Sequence, residues 1–413
     1  MINRASITVA IILLVCLNGF AQPTHLYEIG IRDSLYSSTL EEQRIFWIQY
    51  PDNYDPGSQQ KYPVVYILDG EVHLQAAATV QSYYWGGFMP EMILVGISNG
   101  TNRTRDLTTS EIKLRHGRAY GEENGGADKF TAFIEKELIP YIESKYPVTP
   151  YRTLVGHSYA GLFTISTLLN HPALFDNYLA IDPSLDWDHQ KLLKQSQELL
   201  DGEDYKGKSL FLSLGGQLHM QNSDIDINNV MEDSSEYTLF ARSNIEFSKI
   251  AKNSDLNFHW KYYERDLHGS VSLPSILDGL IYLFDWYPIE HPERFNSPDT
   301  PKDELVQLIR KRESKLKAHF GYFVPPFEEA LLSMLGFMNM EWGEKEKSLA
   351  FFQLTVEYFP RSANAYESLA DCYESQNDLI NALKNVTRAY ELSGNEYHKN
   401  RMEELKEKMQ RFR

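Results

Sequence analysis

Residues 152–164 read Arg-Thr-Leu-Val-Gly-His-Ser-Tyr-Ala-Gly-Leu-Phe-Thr. An apolar run leads into a turn, and a second apolar segment, which suits a helix, follows from 162 to 169. The pattern predicts a strand, a sharp turn and a helix, with Ser158 at the tip of the turn. A turn this tight needs small residues two positions before and after the serine, and Gly156 and Ala160 occupy them. Such a pattern also arises by chance in long chains, so the remaining sequence decides between a nucleophile and an ordinary turn.

The bulk composition indicates a globular protein and excludes some partners. A chain of 413 residues favours two domains over one. The formal net charge is −17, and no basic run of useful length is present. An acidic chain repels nucleic acid and anionic membranes, so neither is expected as a partner.

The first residues have the pattern of an export signal. The apolar run 7–17 is too short to span a membrane, and a small-residue segment follows it. We predict a signal peptide over 1–21, cleavage after Ala21, and a periplasmic or secreted protein. Cleavage would remove Cys16 and leave Cys372 as the one cysteine, so no disulfide framework is expected.

Short apolar runs alternate with helix-period segments between residues 22 and 287. Strands are predicted within 26–50 (two strands) and at 62–68, 92–97, 177–181, 209–214 and 257–263, besides the run that precedes Ser158. Helices are predicted at 127–144, 162–170, 238–252 and 275–286. This alternation is typical of an α/β fold with a doubly wound, mostly parallel sheet.

Several polar segments follow predicted strands and are expected to meet at one edge of the sheet. They are Asp69-Gly70-Glu71, Ser158, the acidic loop 217–235 and His268. Sites in such sheets lie at the carboxyl ends of the strands. This shared placement predicts a single site, in which His73 is expected in a loop that lines the pocket.

A serine nucleophile needs a base, and the base needs an acid to orient it. His268 follows the last strand and is predicted to be the base. The acid is expected between the strand that ends at Leu214 and His268. Directly after that strand no carboxylate is present, so the acidic loop must supply it. Asp233 is the favoured candidate, with Asp226 or Glu232 as alternatives, and a Ser–His dyad without an acid is also open.

Two backbone amides are needed to stabilise the oxyanion that forms when an ester is attacked. The residue after the nucleophile, Tyr159, and the loop residue Glu71 are the predicted donors. The aromatic residues Tyr83, Tyr84, Trp85 and Trp187 are either pocket-lining or core. No metal-ligand cluster and no phosphate loop is evident in the sequence, so no metal or cofactor is expected.

The C-terminal part differs from the rest. Residues 288–301 are rich in proline and polar residues and are predicted to be a linker. Residues 302–413 show only helical patterns, and positions 335–336, 352 and 360 recur 34 residues later at 369–370, 386 and 394. This spacing resembles tetratricopeptide repeats, which stack helices and often bind peptides. A packing role and a protein partner are both open for this segment.

Taken together, these segments resemble the esterase family of α/β-hydrolases over about residues 26–287. The matching motifs are Tyr62 to Gly70, Val95-Gly96-Ile97, Arg103 to Thr108, Gly126 to Phe130, Gly156 to Gly161 and His268-Gly269-Ser270. The family includes enterochelin and other siderophore esterases, S-formylglutathione hydrolase, feruloyl esterases and the antigen 85 mycolyltransferases. The resemblance implies Ser158 as nucleophile, His268 as base, and the amides of Glu71 and Tyr159 as the oxyanion hole. The chain departs from the family's pattern at Ala160, where glycine is usual, and at the acid.

The function expected from this resemblance is an exported serine carboxylic-ester hydrolase that works through an acyl-enzyme. A small ester, or one linked to a siderophore or a carbohydrate, is the expected substrate. One alternative is a hydrolase-like binding protein without catalysis, which uses its helical repeats to recruit a partner. Another is an acyltransferase of the same fold, which passes the acyl group to a sugar or lipid alcohol.

Overall fold

The computed structural model describes residues 29–411, except 53, 55, 58, 59, 116 and 203. The predicted export signal therefore lies outside the described residues. The chain divides into two compact units, Met1–Trp85 with Glu91–Leu283, and Gly86–Pro90 with Phe284–Arg413. The first unit ends at Leu283, and the predicted domain bounds of 22–287, 288–301 and 302–413 stay a prediction.

The first unit is built on an eight-stranded sheet. Its strands are β1 (Ile31–Ser37), β2 (Glu42–Gln49), β3 (Tyr62–Ile67), β4 (Ile93–Ile97), β7 (Val148–His157), β8 (Asn177–Ile181), β9 (Ser209–Gly215) and β10 (Asn257–Tyr263). Between β4 and β7 a small hairpin is formed by β5 (Leu114–Arg115) and β6 (Arg118–Ala119). The order across the sheet is β1-β2-β4-β3-β7-β8-β9-β10. Six neighbouring strands run parallel to one another: β4, β3, β7, β8, β9 and β10. Strand β2 pairs antiparallel with both β1 and β4.

Burial along the strands follows from their place in the sheet. Every residue of β3, β4 and β8 is buried, as expected for central parallel strands that helices cover on both faces. In β2, buried residues alternate with more exposed ones, because one side of this strand faces the core and the other does not. The sequence showed these as a continuous apolar run and an alternating run respectively.

The helices of the first unit fall into two contact groups. One contains α1 (Gly70–Tyr84) and α8 (Ser272–Leu283). The other contains α2 (Arg103–Leu107), α3 (Ala127–Phe133), α5 (Tyr159–Asn170), α6 (Trp187–Gly202) and α7 (Leu239–Lys252). A π-helical turn, Ile134–Leu138, joins α3 to α4 (Ile139–Lys145), and short 3₁₀ turns occur at Pro172–Leu174 and Glu236–Thr238. The predicted doubly wound α/β fold is confirmed.

One prediction in this region is wrong. The sequence placed His73 in a loop, but it lies inside α1 and is buried. Gly70 is the first residue of that helix, which packs against β4. A Cβ at Gly70 would lie 2.3 Å from the backbone carbon of Gly96, so only glycine permits this approach.

The second unit contains only helices among its described residues. They are α9 (Pro292–Phe295), α10 (Lys302–Phe320), α11 (Glu329–Glu341), α12 (Lys345–Tyr358), α13 (Ala363–Ser375), α14 (Leu379–Ser393) and α15 (Glu396–Arg411). The pair α11 and α12 begins 34 residues before the pair α13 and α14, which is the spacing expected from the sequence. The tetratricopeptide assignment itself stays a prediction. None of the described helices has the length and apolar character needed to cross a bilayer.

Candidate active site

Three neighbouring strands end in a non-glycine residue with positive φ, and all three residues belong to the site. Asp69 follows β3 with φ 50°, Ser158 follows β7 with φ 62°, and Asp182 follows β8 with φ 43°. This conformation is costly for residues with a side chain and persists only where the surroundings enforce it. The concentration of such residues at the carboxyl ends of β3, β7 and β8 makes this edge of the sheet the candidate site.

Local packing explains why the chain turns so sharply at Ser158. A Cβ at Gly156 would lie 2.2 Å from the carbonyl oxygen of Ala160, so a side chain there is excluded. The Ser158 amide donates to the carbonyl of Ile181 at 2.9 Å, and its own carbonyl accepts from Leu162, in the first turn of α5. The turn is therefore bonded to both the neighbouring strand and the following helix, and the predicted succession of strand, turn and helix is confirmed.

Ser158, His268 and Asp182 form a hydrogen-bonded chain. The Nε2 atom of His268 lies 3.0 Å from the Oγ of Ser158, and its Nδ1 atom lies 2.6 Å from Oδ2 of Asp182. The Asp182 side chain is only 2% exposed, whereas that of His268 is 42% exposed. Nucleophile, base and buried acid are thus in the order and at the distances of a catalytic triad.

The carboxylate of Asp182 is held by the neighbouring strand. Its Oδ1 atom accepts from the amide of Gly215 at 2.9 Å, and its own amide donates to the carbonyl of Ser213. The sequence predicted that the acid comes from the acidic loop after β9, because Gly215 and Gly216 leave no carboxylate directly at the end of that strand. A Cβ at Gly216 would lie 2.0 Å from the carbonyl oxygen of Glu264, because the loop that leads to His268 fills that space. The carboxylate that contacts His268 instead follows β8, the strand next to β9.

The structure contradicts Asp233 as the partner of His268. Its carboxylate accepts from the amide and hydroxyl of Ser235, and the nearest imidazole is that of His219 at 3.5 Å. Asp226 accepts from amides of its own turn, and Glu232 is exposed in the same loop. The carboxylates of Asp226 and Asp233 therefore accept hydrogen bonds within the loop 217–235 and none from His268. The signal that sequence reasoning missed was an aspartate directly after the buried strand 177–181.

Both predicted oxyanion donors lie in the first turn of a helix. Glu71 is in the first turn of α1, and Tyr159 begins α5. Amides in a first turn have no partner within their helix, and the helix dipole favours negative charge there. The loop before α1 is fixed by Arg103, whose guanidinium grips both carboxylate oxygens of Asp69 at 2.9–3.0 Å. Asn99, which is buried, accepts a hydrogen bond from the Asp69 amide at 3.2 Å.

A cluster of cationic and aromatic side chains lies next to the nucleophile. The guanidinium of Arg115, on the hairpin β5–β6, hydrogen-bonds the hydroxyl of Tyr159 and lies 5.3 Å from the rings of both Tyr159 and Trp187. Tyr120 makes an edge contact with Trp187. Of the aromatic residues singled out in the sequence, Trp187 is therefore next to the site. Tyr83 to Trp85 are at the opposite end of α1, about 20 Å along the helix from Gly70.

Two further histidines, His157 and His73, lie beside the triad. Burial, reinforced by the nearby His268, lowers the pKa of His157 to about 3, and burial also lowers the pKa of His73. The ligand atoms of His157, Asp182 and His268 lie within 4.8 Å of one another. Hydrogen bonds already engage each of these side chains: His268 with Asp182 and Ser158, and His157 with the carbonyl of His268. The triad itself accounts for their convergence.

Comparison with protein families assigns the chain to a known group. Residues 37–265, slightly more than half of the chain, match the family described as "Putative esterase". The chain belongs to this family. The match spans β2 to β10 and includes Ser158 and Asp182, while His268 lies three residues beyond its end.

Two curated relatives of this family member are named as siderophore esterases. The ferri-bacillibactin esterase BesA of Bacillus subtilis is 33% identical over 184 residues, which span 40% of this chain and 62% of that protein. The siderophore enterobactin esterase of Emericella nidulans is 30% identical over 184 residues, which span 40% of this chain and 59% of that protein. The chain thus covers about three fifths of the length of these relatives.

Solved structures extend the similarity of this esterase-family chain. An IroE-like serine hydrolase from Shewanella oneidensis is 30% identical, with a TM-score of 0.63, and the match covers 80% of this chain and 99% of the other. An uncharacterised protein from Capnocytophaga ochracea, 19% identical with a TM-score of 0.55, matches 91% of this chain and 99% of its own. The second likeness is one of fold alone.

Proposed function

We propose that this protein is a serine carboxylic-ester hydrolase that works through an acyl-enzyme. The observation that supports this most is the hydrogen-bonded chain from Ser158 through His268 to Asp182. A serine hydroxyl is a poor nucleophile until an adjacent base removes its proton, and this chain supplies both the base and the acid that orients it. Membership of the esterase family supports the same reaction.

In the proposed reaction, Ser158 Oγ attacks the ester carbonyl while His268 Nε2 accepts its proton. Asp182 stabilises the imidazolium that results, and the amides of Glu71 and Tyr159 stabilise the oxyanion. The imidazolium then gives its proton to the departing alcohol, which leaves an acyl group on Ser158. Water, deprotonated by the same imidazole, releases the acid and restores the serine.

We propose esters of siderophores, or esters of similar anionic aromatic acids, as the substrate class. The names of the curated relatives support this class. So does the cluster beside the nucleophile, because the Arg115 guanidinium offers a positive charge next to the aromatic faces of Tyr159 and Trp187. The carboxylate of Asp186 lies 3.7 Å from this guanidinium, so an anionic substrate group would compete with Asp186 for Arg115.

A panel of esters with the purified protein tests both proposals. The protein is expected to hydrolyse p-nitrophenyl acetate, and Ser158→Ala and His268→Ala should each lose at least about 1,000-fold in kcat. Wild-type turnover by Ser158→Ala would contradict the esterase. For the substrate class, Arg115→Met should raise KM for an anionic aryl ester about 10-fold and leave KM for p-nitrophenyl acetate within about 2-fold. The exposed Arg118→Met, on the same hairpin, is the matched control.

We further propose that the reaction takes place outside the cytoplasm. The signal-peptide pattern of residues 1–21 supports export. N-terminal sequencing of the protein from its native host is expected to begin at Gln22. Recruitment of a protein partner by the helical tail stays a prediction from the repeat spacing.

A further inference from the structure

His157 directly precedes the nucleophile but takes no part in the proposed chemical steps. Its Nε2 atom lies 2.8 Å from the backbone carbonyl oxygen of His268, and the two imidazole rings are 4.7 Å apart. A carbonyl oxygen can only accept a hydrogen bond, so Nε2 of His157 must carry the hydrogen. The His157 ring therefore donates a hydrogen bond to the backbone of His268, whose imidazole is the proposed base.

We infer that His157 is a positioning residue, which ties the backbone of His268 to the strand that carries Ser158. The inference rests on the proposed function, because it assigns His157 a role in the reaction of that site. Its hydrogen bond fixes the loop on which the base is mounted, independently of the bonds that the His268 ring makes to Ser158 and Asp182.

The loop around His268 explains why such a tie is needed. The side chain of His268 is 42% exposed, so surrounding groups restrain it on only part of its surface. Gly269 follows, and a Cβ built there would meet nothing within 4 Å. On the other side, the carbonyl of Asp266 is held by the Gly216 amide at 2.6 Å. The bond from His157 restrains the loop at the residue that matters for proton transfer.

The backbone of His157 connects the nucleophile to a third catalytic segment. Its carbonyl accepts from Nη2 of Arg103 at 3.2 Å, and the same guanidinium grips Asp69 at the start of α1. One residue thus joins the strand that carries Ser158, the loop that carries His268 and the helix that provides the amide of Glu71. These three segments must keep their distances to within a fraction of an ångström for efficient catalysis.

The charge state of His157 suits this role. Burial and the proximity of His268 keep its pKa at about 3, so the ring is neutral at physiological pH. A permanent cation 4.7 Å from the base would oppose the imidazolium that forms on His268 during the reaction. A neutral donor holds the loop without that electrostatic cost.

Two amide substitutions that differ by one methylene test the inference. In His157→Gln the side-chain nitrogen reaches about where Nε2 lies, whereas in His157→Asn it stops near the position of Nδ1. We expect His157→Asn to lower kcat for p-nitrophenyl acetate about 10- to 100-fold with KM within about 2-fold, since misplaced groups of this kind cost that much. His157→Gln should retain kcat within about 3-fold.

The same pair in a His268→Ala background separates positioning from general stability. If His157 acts through the base, His157→Asn should leave the residual rate of His268→Ala unchanged within about 2-fold. A further loss there, or equal losses in the Asn and Gln variants, would overturn the inference.

Two further measurements keep the inference separate from the proposed function. Labelling of Ser158 by a fluorophosphonate tests the nucleophile alone, so an unlabelled wild type contradicts the proposed function and this inference together. Nitrogen-15 NMR of the wild type tests the hydrogen bond without any turnover, even if neither variant folds. A His157 ring protonated at Nε2 supports the tie, and one protonated only at Nδ1 rules it out.

Discussion

At the scale of single residues, Asp182 shows what spacing along a sequence does and does not reveal. The positions of Ser158 and His268 in the candidate site were predictable, because each follows a recognisable strand and carries a distinctive side chain. The acid was not, because its usual position after β9 is occupied by Gly215 and Gly216. Only the folded chain shows that the loop before His268 fills that space and that β8 brings Asp182 to within 2.6 Å of the imidazole.

The first prediction separates the two aspartates. Asp182→Asn should lower kcat about 1,000- to 10,000-fold, because an amide neither stabilises the imidazolium nor fixes its tautomer. Asp233→Asn should leave kcat within about 2-fold, since its carboxylate bonds Ser235. Steady-state hydrolysis of p-nitrophenyl acetate checks both. Equal rates for the two variants would mean that Asp182 is not the acid.

At the scale of elements, the start of α1 depends on one arginine. Arg103 makes a two-pronged contact with Asp69, the residue before the helix, and only a planar guanidinium fits both carboxylate oxygens. The helix α2, which carries Arg103, also carries the buried Asp106. An ion pair at 2.7 Å between Asp106 and the buried Arg44 holds this helix in place. The resulting arrangement aims the first turn of α1 at the ester carbonyl in the proposed reaction.

The second prediction concerns that contact. Arg103→Lys keeps the charge but cannot contact both carboxylate oxygens of Asp69 at once. We therefore expect kcat to fall about 10-fold, while the melting temperature changes by only a few degrees. Arg32→Lys, at an exposed position of β1, is the matched control and should behave as wild type. If Arg103→Lys raised only KM, the contact would serve substrate binding instead of the oxyanion loop.

Two substitutions in the second unit test whether the stability of its helices affects the rate of hydrolysis. Phe352 is fully buried in α12, and its ring fills the space beside Gly336 in α11. Phe352→Ala should destabilise this unit by about 3–5 kcal/mol, whereas the half-exposed Phe323→Ala should cost much less. Neither should change kcat for p-nitrophenyl acetate by more than about 2-fold, because the triad lies in the first unit. Calorimetry and the ester assay together give the answer.

At the scale of the whole molecule, stability should depend on pH through buried histidines. The pKa of His157 falls from an ordinary 6.5 to about 3 on folding. Between these values the unfolded chain binds the proton and the folded chain does not, so the free energy of unfolding rises with pH. The contribution is complete above pH 6.5 and is lost as the pH falls towards 3.

The fourth prediction follows from that sign. Between about pH 4.5 and 6.5, the wild type should gain stability with rising pH more steeply than His157→Gln, by up to about 1.4 kcal/mol per pH unit. Urea unfolding of both proteins at several pH values measures the difference. Carboxylates such as Asp33 act mainly below this window, because hydrogen bonds from Tyr146 and Lys145 outweigh burial and lower its pKa to about 2. Parallel slopes for the two proteins would contradict the buried, neutral His157.

The fold as a whole was predictable from the sequence to within a few residues at most element ends. The strands at 177–181 and 257–263 and the helix end at Asn170 agree with the structure, because apolar periodicity reports burial directly. The helices that begin at Gly70 and Trp187 were not predicted. The start of the first depends on close backbone contact with Gly96 and not on a capping side chain. Contacts of this kind join distant segments and leave no local pattern.

The exposure of the His268 ring has a consequence for the fate of the acyl group. Bulk water reaches an imidazole that is two fifths exposed, and deacylation needs only one water molecule beside it. The acyl-enzyme should therefore be short-lived, and an added alcohol should capture it only in proportion to its share of the solvent. In methanol–water mixtures, the ratio of free acid to methyl ester would then follow the water content closely, as it does for an enzyme built to release its product instead of passing it on.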